Sequence, residues 1–200
     1  MTSPQHKFFE RYLNNDLEKL TKELLNAREI IKDIPSLPND FSYINSVTTE
    51  KWNQYNVFQL YNLGIHNLYK NVKSMVKEAC EYYNFDFNEQ KYYIQGWYNI
   101  NVSGQGKLDW HDHAETYDRA PIFHGYYCVN AEPSSTYYKI NGEVFENINK
   151  NNRAILSEVG HPHTMGDWDF DGNRITIAYD VIPYSKLMKI NQAWQHWFPL

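Results

Sequence analysis

The sequence predicts an α+β protein in which an N-terminal helical layer covers a sheet built from the second half of the chain. Apolar residues recur at helical spacing up to about residue 88, and short runs rich in Tyr, Ile, Val and Thr replace them after Lys91. No repeat, low-complexity tract or Pro/Gly/Ser linker separates the two regions, so helices and sheet should share one core. At 200 residues the chain suits a single domain, mainly helical over 1–88, with a β core over 89–185 and a tail over 186–200.

From Gln5 to about Lys32, Phe8, Phe9, Tyr12, Leu13, Leu17, Leu20, Leu24 and Leu25 recur at steps of three and four among charged residues, which predicts one amphipathic helix. Pro35 and Pro38 predict a loop over Ile34 to Asp40, because proline fixes its own φ and restricts the residue before it. A second helical region follows from roughly Thr49 to Tyr83, broken near Gly64, with Leu68, Val72, Met75, Val76, Ala79 and Cys80 on its apolar side. Strands are then expected over Tyr92–Val102, Pro121–Ala131, Thr136–Ile140, Arg153–Val159 and Asn173–Ile182. Asn141-Gly142 reads as a hairpin turn, since both residues tolerate the positive φ of a type I′ turn.

Composition excludes several function classes. A net charge of −5 offers no basic field for phosphates and disfavours a nucleic-acid binder. No stretch approaches the roughly 20 apolar residues of a membrane span, and Met1 to Lys7 lack the apolar centre of a signal peptide, so a cytoplasmic protein is expected. Two cysteines, Cys80 and Cys128, lack the spacing of a zinc or redox motif and read as reduced core residues.

Chemistry concentrates in two histidine pairs. In a strand, alternate residues face the same way, so His111 and His113 of His111-Asp112-His113 can aim two imidazoles into one cavity. His161-Pro162-His163 follows the predicted strand Arg153–Val159, where the chain can return beside the first pair. His163 is the preferred third ligand and His161 the alternative. Imidazole suits iron, zinc, copper and nickel alike, so these residues do not name the metal. His6, His66, His124 and His196 read as surface or hydrogen-bonded histidines without an assigned role.

With these residues in place, Tyr92 to Ile182 resembles the double-stranded β-helix (jelly-roll) family of iron(II)- and 2-oxoglutarate-dependent oxygenases, closest to its prolyl-hydroxylase-like branch. The resemblance implies Fe(II) held by His111, His113 and His163, with His113 standing where the family usually has aspartate. Asp112 or Asp109 is the alternative source of that carboxylate. It implies that Arg174, on Arg174-Ile175-Thr176, binds the far carboxylate of 2-oxoglutarate with help from Thr176. The strand Phe123–Asn130 resembles the family's Tyr-Tyr-Leu-Asn strand, which makes Tyr127 the expected phenol donor and Asn101 or Asn99 a further co-substrate contact. The implied reaction hydroxylates a C–H bond of a small-molecule or peptidyl substrate with release of succinate and CO₂, in a monomer or homodimer. A three-histidine cupin-type dioxygenase that does not use 2-oxoglutarate and a non-catalytic jelly-roll binding protein are the rival readings.

Overall fold

The computed structural model describes residues 6–35, 46–87, 91–104, 109–113, 122–188 and 196–200. Two antiparallel sheets form its frame. The larger has the order β1-β6-β3-β8-β2-β9, from β1 (Phe9–Tyr12), β2 (Tyr92–Asn101), β3 (Phe123–Asn130), β6 (Arg153–Glu158), β8 (Arg174–Pro183) and β9 (Phe198–Pro199). The smaller has the order β5-β4-β7, from β4 (Ser135–Ile140), β5 (Glu143–Ile148) and β7 (His163–Met165).

Helices α1 (Leu17–Ile31), α2 (Val47–Glu50) and α3 (Leu63–Tyr83) cover one face of the larger sheet. Their buried stripe, including Leu20, Leu24, Leu68, Val72, Met75 and Val76, packs on Tyr98, Tyr127, Leu156, Ile177 and Tyr179. The other face meets the smaller sheet through a second apolar cluster of Tyr126, Cys128, Ala131, Tyr138 and Ile155. Strict alternation along β3 and β8 therefore assigns odd residues such as Tyr127, Ile177 and Tyr179 to the helical core and even ones such as Tyr126 and Thr176 to the space between the sheets.

The structure revises the sequence reading at three elements. The single helix expected from Gln5 is a strand followed by a helix. Phe9 to Tyr12 pair antiparallel with Arg153 to Leu156 on the sheet edge, and α1 begins only after Asp16, whose side chain accepts from the Lys19 amide. Spacings of three and four among Phe8, Phe9, Tyr12 and Leu13 cannot exclude a short strand, and an open sheet edge decided the matter. The break expected near Gly64 is longer and falls earlier: α2 ends at Glu50, turns and a short 3-10 helix (Val57–Gln59) follow, and α3 begins after Asn62, whose side chain caps it by accepting from the Ile65 amide. Strand β5 was not foreseen: its outer residues are exposed and include Glu143 and Glu146, and the turn ahead of it brings it onto β4. That turn, Asn141-Gly142, has positive φ at both residues (53° and 85°) as a two-residue hairpin requires. Of the expected loop over Ile34 to Asp40, residues 36–40 lie outside the described residues. Among the described residues no helix is long and apolar enough to cross a membrane.

Candidate metal and co-substrate site

A cavity of about 100 Å³ opens between the two sheets. Its floor is a lattice of three hydrogen-bonded strands. Asn101 lies opposite Arg174, Asn99 opposite Thr176, and Trp97 opposite Ala178 across β2 and β8; Thr176 faces Cys128 and Ala178 faces Tyr126 across β8 and β3. Directly opposed residues of an antiparallel pair project to the same side, so this register carries the polar groups into the cavity together. The lattice continues one row further, where Asp180 faces His124.

The histidines enter from the opposite side. His111 and His163 form an isolated antiparallel bridge in which each amide donates to the other's carbonyl, at 3.1 and 2.8 Å. Their rings stand 4.5 Å apart, and His113 lies 5.7 Å from the first and 5.2 Å from the second. One nitrogen of each of the three lies within 4.8 Å of the others, a grouping able to hold a metal ion.

The hydrogen bonds behind the rings fix which nitrogen that is. Nδ1 of His111 lies 2.8 Å from the Asp109 carbonyl, Nδ1 of His163 lies 3.3 Å from the His161 carbonyl, and Nδ1 of His113 lies 2.8 Å from both oxygens of Asp180. A carbonyl or carboxylate oxygen can only accept, so each Nδ1 carries a proton, and in the neutral ring Nε2 keeps its lone pair. Burial lowers the pKa of His111 and pushes that of His163 well down, with the neighbouring imidazoles adding to the latter. Both rings are then neutral near pH 7, the form a metal needs. This donor chemistry fits a divalent transition metal, and three protein ligands leave further positions open.

Two groups absent from the sequence reading of the site belong to it. His124, read there as a surface or hydrogen-bonded residue without a role, is buried, with its ring 4.0 Å from His113 and 4.7 Å from His163. Its Nδ1 lies 2.8 Å from Asp180, and burial lowers its pKa to about 4. Asp180 is buried beneath both rings. Burial alone would raise its carboxyl, but the charge and hydrogen bonds of His113 and His124 outweigh this and hold it below the usual carboxylate range. His113, His124 and Asp180 form a second grouping compatible with a metal. Both residues were accessible in principle, because Arg174, Thr176, Ala178 and Asp180 alternate on one strand.

At the far end of the cavity Arg174 is 3% exposed. Its Nε donates to the Ser134 hydroxyl at 3.0 Å, and no carboxylate among the described residues pairs with it. Burial lowers its pKa, as expected for a cation without a counter-ion. Among the described residues the buried Asn101 side-chain oxygen lacks a hydrogen bond there, and the Tyr126 hydroxyl lies beside Thr136. Thr176 accepts from the Asn99 amide at 3.3 Å, and Asn99 in turn accepts from Thr49 at 2.7 Å.

Tyr127, expected beside the co-substrate, is turned away from the cavity. Its hydroxyl donates to Asn152 at 2.5 Å and accepts from Asn15 at 3.0 Å on the helical side of the sheet. The tyrosine on the cavity side is Tyr126, for the period of two leaves no third choice. His161 packs its ring 4.1 Å from that of His6. Trp168 is buried in its own loop, where its indole donates to the Gly172 carbonyl.

No protein-family model matches the sequence, and no curated protein does. Solved structures match over most of the chain. A prolyl hydroxylase from Trichoplax adhaerens, in complex with a hypoxia-inducible-factor oxygen-degradation-domain peptide fragment, shares 11% identity at a TM-score of 0.64, over 94% of this chain and 87% of that one. A Pseudomonas putida prolyl-4-hydroxylase shares 11% identity at a TM-score of 0.59, over 88% and 92%. The apo form of the non-heme monooxygenase ThoJ shares 8% at a TM-score of 0.61, over 89% and 74%. The chain therefore has the fold of these oxygenases and hydroxylases.

Proposed function

We propose that this protein is an Fe(II)- and 2-oxoglutarate-dependent dioxygenase that hydroxylates a C–H bond of an amino-acid, peptidyl or small-molecule substrate, releasing succinate and CO₂. The observation that carries the reading is one cavity holding three Nε2 lone pairs at one end and a buried guanidinium without a carboxylate at the other. The two facing sheets, with strand orders β1-β6-β3-β8-β2-β9 and β5-β4-β7, support a double-stranded β-helix (jelly roll) with an N-terminal helical layer. The fold shared with prolyl hydroxylases supports the same reaction class.

His111, His113 and His163 would hold the iron, which when bound supplies Lewis acidity and the capacity to activate oxygen. The chain's own residues supply placement. Arg174, its Nε already committed to Ser134, has its terminal nitrogens left for the far carboxylate of the co-substrate. Leaving a buried guanidinium unpaired costs several kcal/mol, which a dicarboxylate would offset. Tyr126 would donate its hydroxyl to that carboxylate, and Asn101 and Thr176 complete the polar wall. Trp97, lying 5.7 Å from and nearly parallel to the His113 ring, walls the cavity with apolar surface and limits water beside the reacting carbon.

The test is succinate formation. Protein loaded anaerobically with iron and then exposed to oxygen should convert 2-oxoglutarate to succinate, and His163→Ala should abolish this. Arg174→Gln should weaken 2-oxoglutarate binding by ~30-fold or more, as expected when one partner of a buried charge pair is removed at a cost of roughly 2–5 kcal/mol. No succinate from an iron-loaded protein would support instead the three-histidine dioxygenase reading, which His113 in place of a carboxylate favours.

A further inference from the structure

In the family pattern an aspartate ligand stands where this chain has His113, yet a carboxylate lies directly behind that histidine all the same. Asp180 lies directly behind His113, with both oxygens 2.8 Å from its Nδ1, and one of them also 2.8 Å from Nδ1 of His124. We propose that Asp180 is a positioning residue for the metal: it fixes the His113 imidazole with Nε2 turned toward His111 and His163, and places beside that ring the negative charge that a ligating aspartate would have brought. This inference rests on the three-histidine site described above.

Three observations lead to it. Asp180 sits in the middle of the larger sheet, on a strand hydrogen-bonded on both sides, and opposite His124 on β3, so its carboxylate is a rigid support. A carboxylate on the far nitrogen of a ligating imidazole fixes its tautomer and rotation and raises its basicity as a donor. Charge balance points the same way. With Asp180 included, a divalent cation, Arg174 and a dicarboxylate leave the cavity neutral, as they would with an aspartate ligand; without it one positive charge would remain buried and unpaired.

The competing geometry is direct ligation by His113, His124 and Asp180, which also lie within 4.8 Å of one another. It would give up the Nδ1 hydrogen bonds that Asp180 accepts. It would also leave the Nε2 atoms of His111 and His163 unused, although the Nδ1 of each is tied to a backbone carbonyl.

Cobalt(II) affinity, measured by competition with a chelator, separates these cases without relying on turnover. Wild-type protein should bind one cobalt per chain, His163→Ala should lose it, and Asp180→Asn should bind about 10–100-fold more weakly. Asp180→Asn keeps the side-chain shape, and melting of the metal-free variant checks its fold. A second measurement needs no variant: in zinc-loaded wild type with ¹⁵N-labelled histidine, His113 should carry a strongly deshielded proton on Nδ1 and metal on Nε2. If His163→Ala loses cobalt but Asp180→Asn binds within threefold of wild type, or if His113 shows the opposite tautomer, the positioning role is overturned while the three-histidine site stands. If wild type binds no cobalt, or His163→Ala binds it undiminished, the three-histidine site itself is wrong.

Discussion

Arg153 and Arg174 are both nearly fully buried, yet their surroundings differ in a way that carries functional meaning. Arg153 is bonded to the Asn147 side chain and the Ile148 carbonyl and lies 3.7 Å from the Glu10 carboxylate. Among the described residues Arg174 is bonded to the Ser134 hydroxyl, and it faces a cavity. A buried cation with a protein counter-ion is structural; one that faces a cavity, with no carboxylate paired to it among the described residues, suits the anion site proposed above. The two adjacent tyrosines divide in a similar way. Tyr127→Phe should cost about 1 kcal/mol of stability, read from the urea midpoint, because Asn15 and Asn152 lose their shared partner. It should leave 2-oxoglutarate affinity unchanged. Tyr126→Phe should do the reverse, weakening 2-oxoglutarate binding about 5–10-fold with a smaller change in the midpoint, since its hydroxyl lies in the cavity wall beside Thr136. Titration of both variants with 2-oxoglutarate decides which residue faces the co-substrate.

At the scale of elements, β3 holds the site because it is pinned from both faces. Gly125 separates His124 from Tyr126, and a Cβ there would stand 2.2 Å from the Ile155 carbonyl and 2.4 Å from the Tyr179 ring. Tyr179 crosses this space to donate its hydroxyl to that same carbonyl at 2.7 Å. Neither backbone nor a buried ring can move cheaply, so Gly125→Ala should destabilise the protein by about 1–3 kcal/mol, measured by urea unfolding. It should also weaken cobalt binding, because the displaced strand carries His124, which shares the Asp180 carboxylate with His113. A register shift between Cys128 and Asn130 further along β3 lets the strand bend next to Arg174, as bulges beside functional cavities do.

At the scale of the molecule, the site is a seam. His111 and His163 are joined to the smaller sheet, whereas Asp180, Arg174 and Tyr126 come from the larger one. A metal held on this seam should stabilise the native state by mass action. At a free concentration 100 times its Kd the gain is about 2.7 kcal/mol, which for a chain of this size raises Tm by roughly 5–10 °C. Differential scanning fluorimetry with cobalt(II) should show that rise, a chelator should reverse it, and His163→Ala should show none.

Much of this was legible beforehand. Periodicities of 3.6 and 2 are local properties of the chain, so α1, α3 and five strands of the β region could be read from residue order, and so could the two histidine pairs and the arginine strand. What order alone left undecided was which face of each strand looks inward. His124, Tyr126 and Cys128 alternate with Gly125, Tyr127 and Val129, and both sets are apolar or aromatic enough to be buried, as both are. Only the packing of helices on one side of the sheet and a second sheet on the other determined that Tyr126 and His124 face the cavity and Tyr127 does not. The same holds for Phe9–Tyr12, whose strand exists because β6 offered an open edge. Side-chain type and spacing are written in the sequence, whereas the side of a sheet that encloses a cavity is fixed by contacts between segments far apart along it.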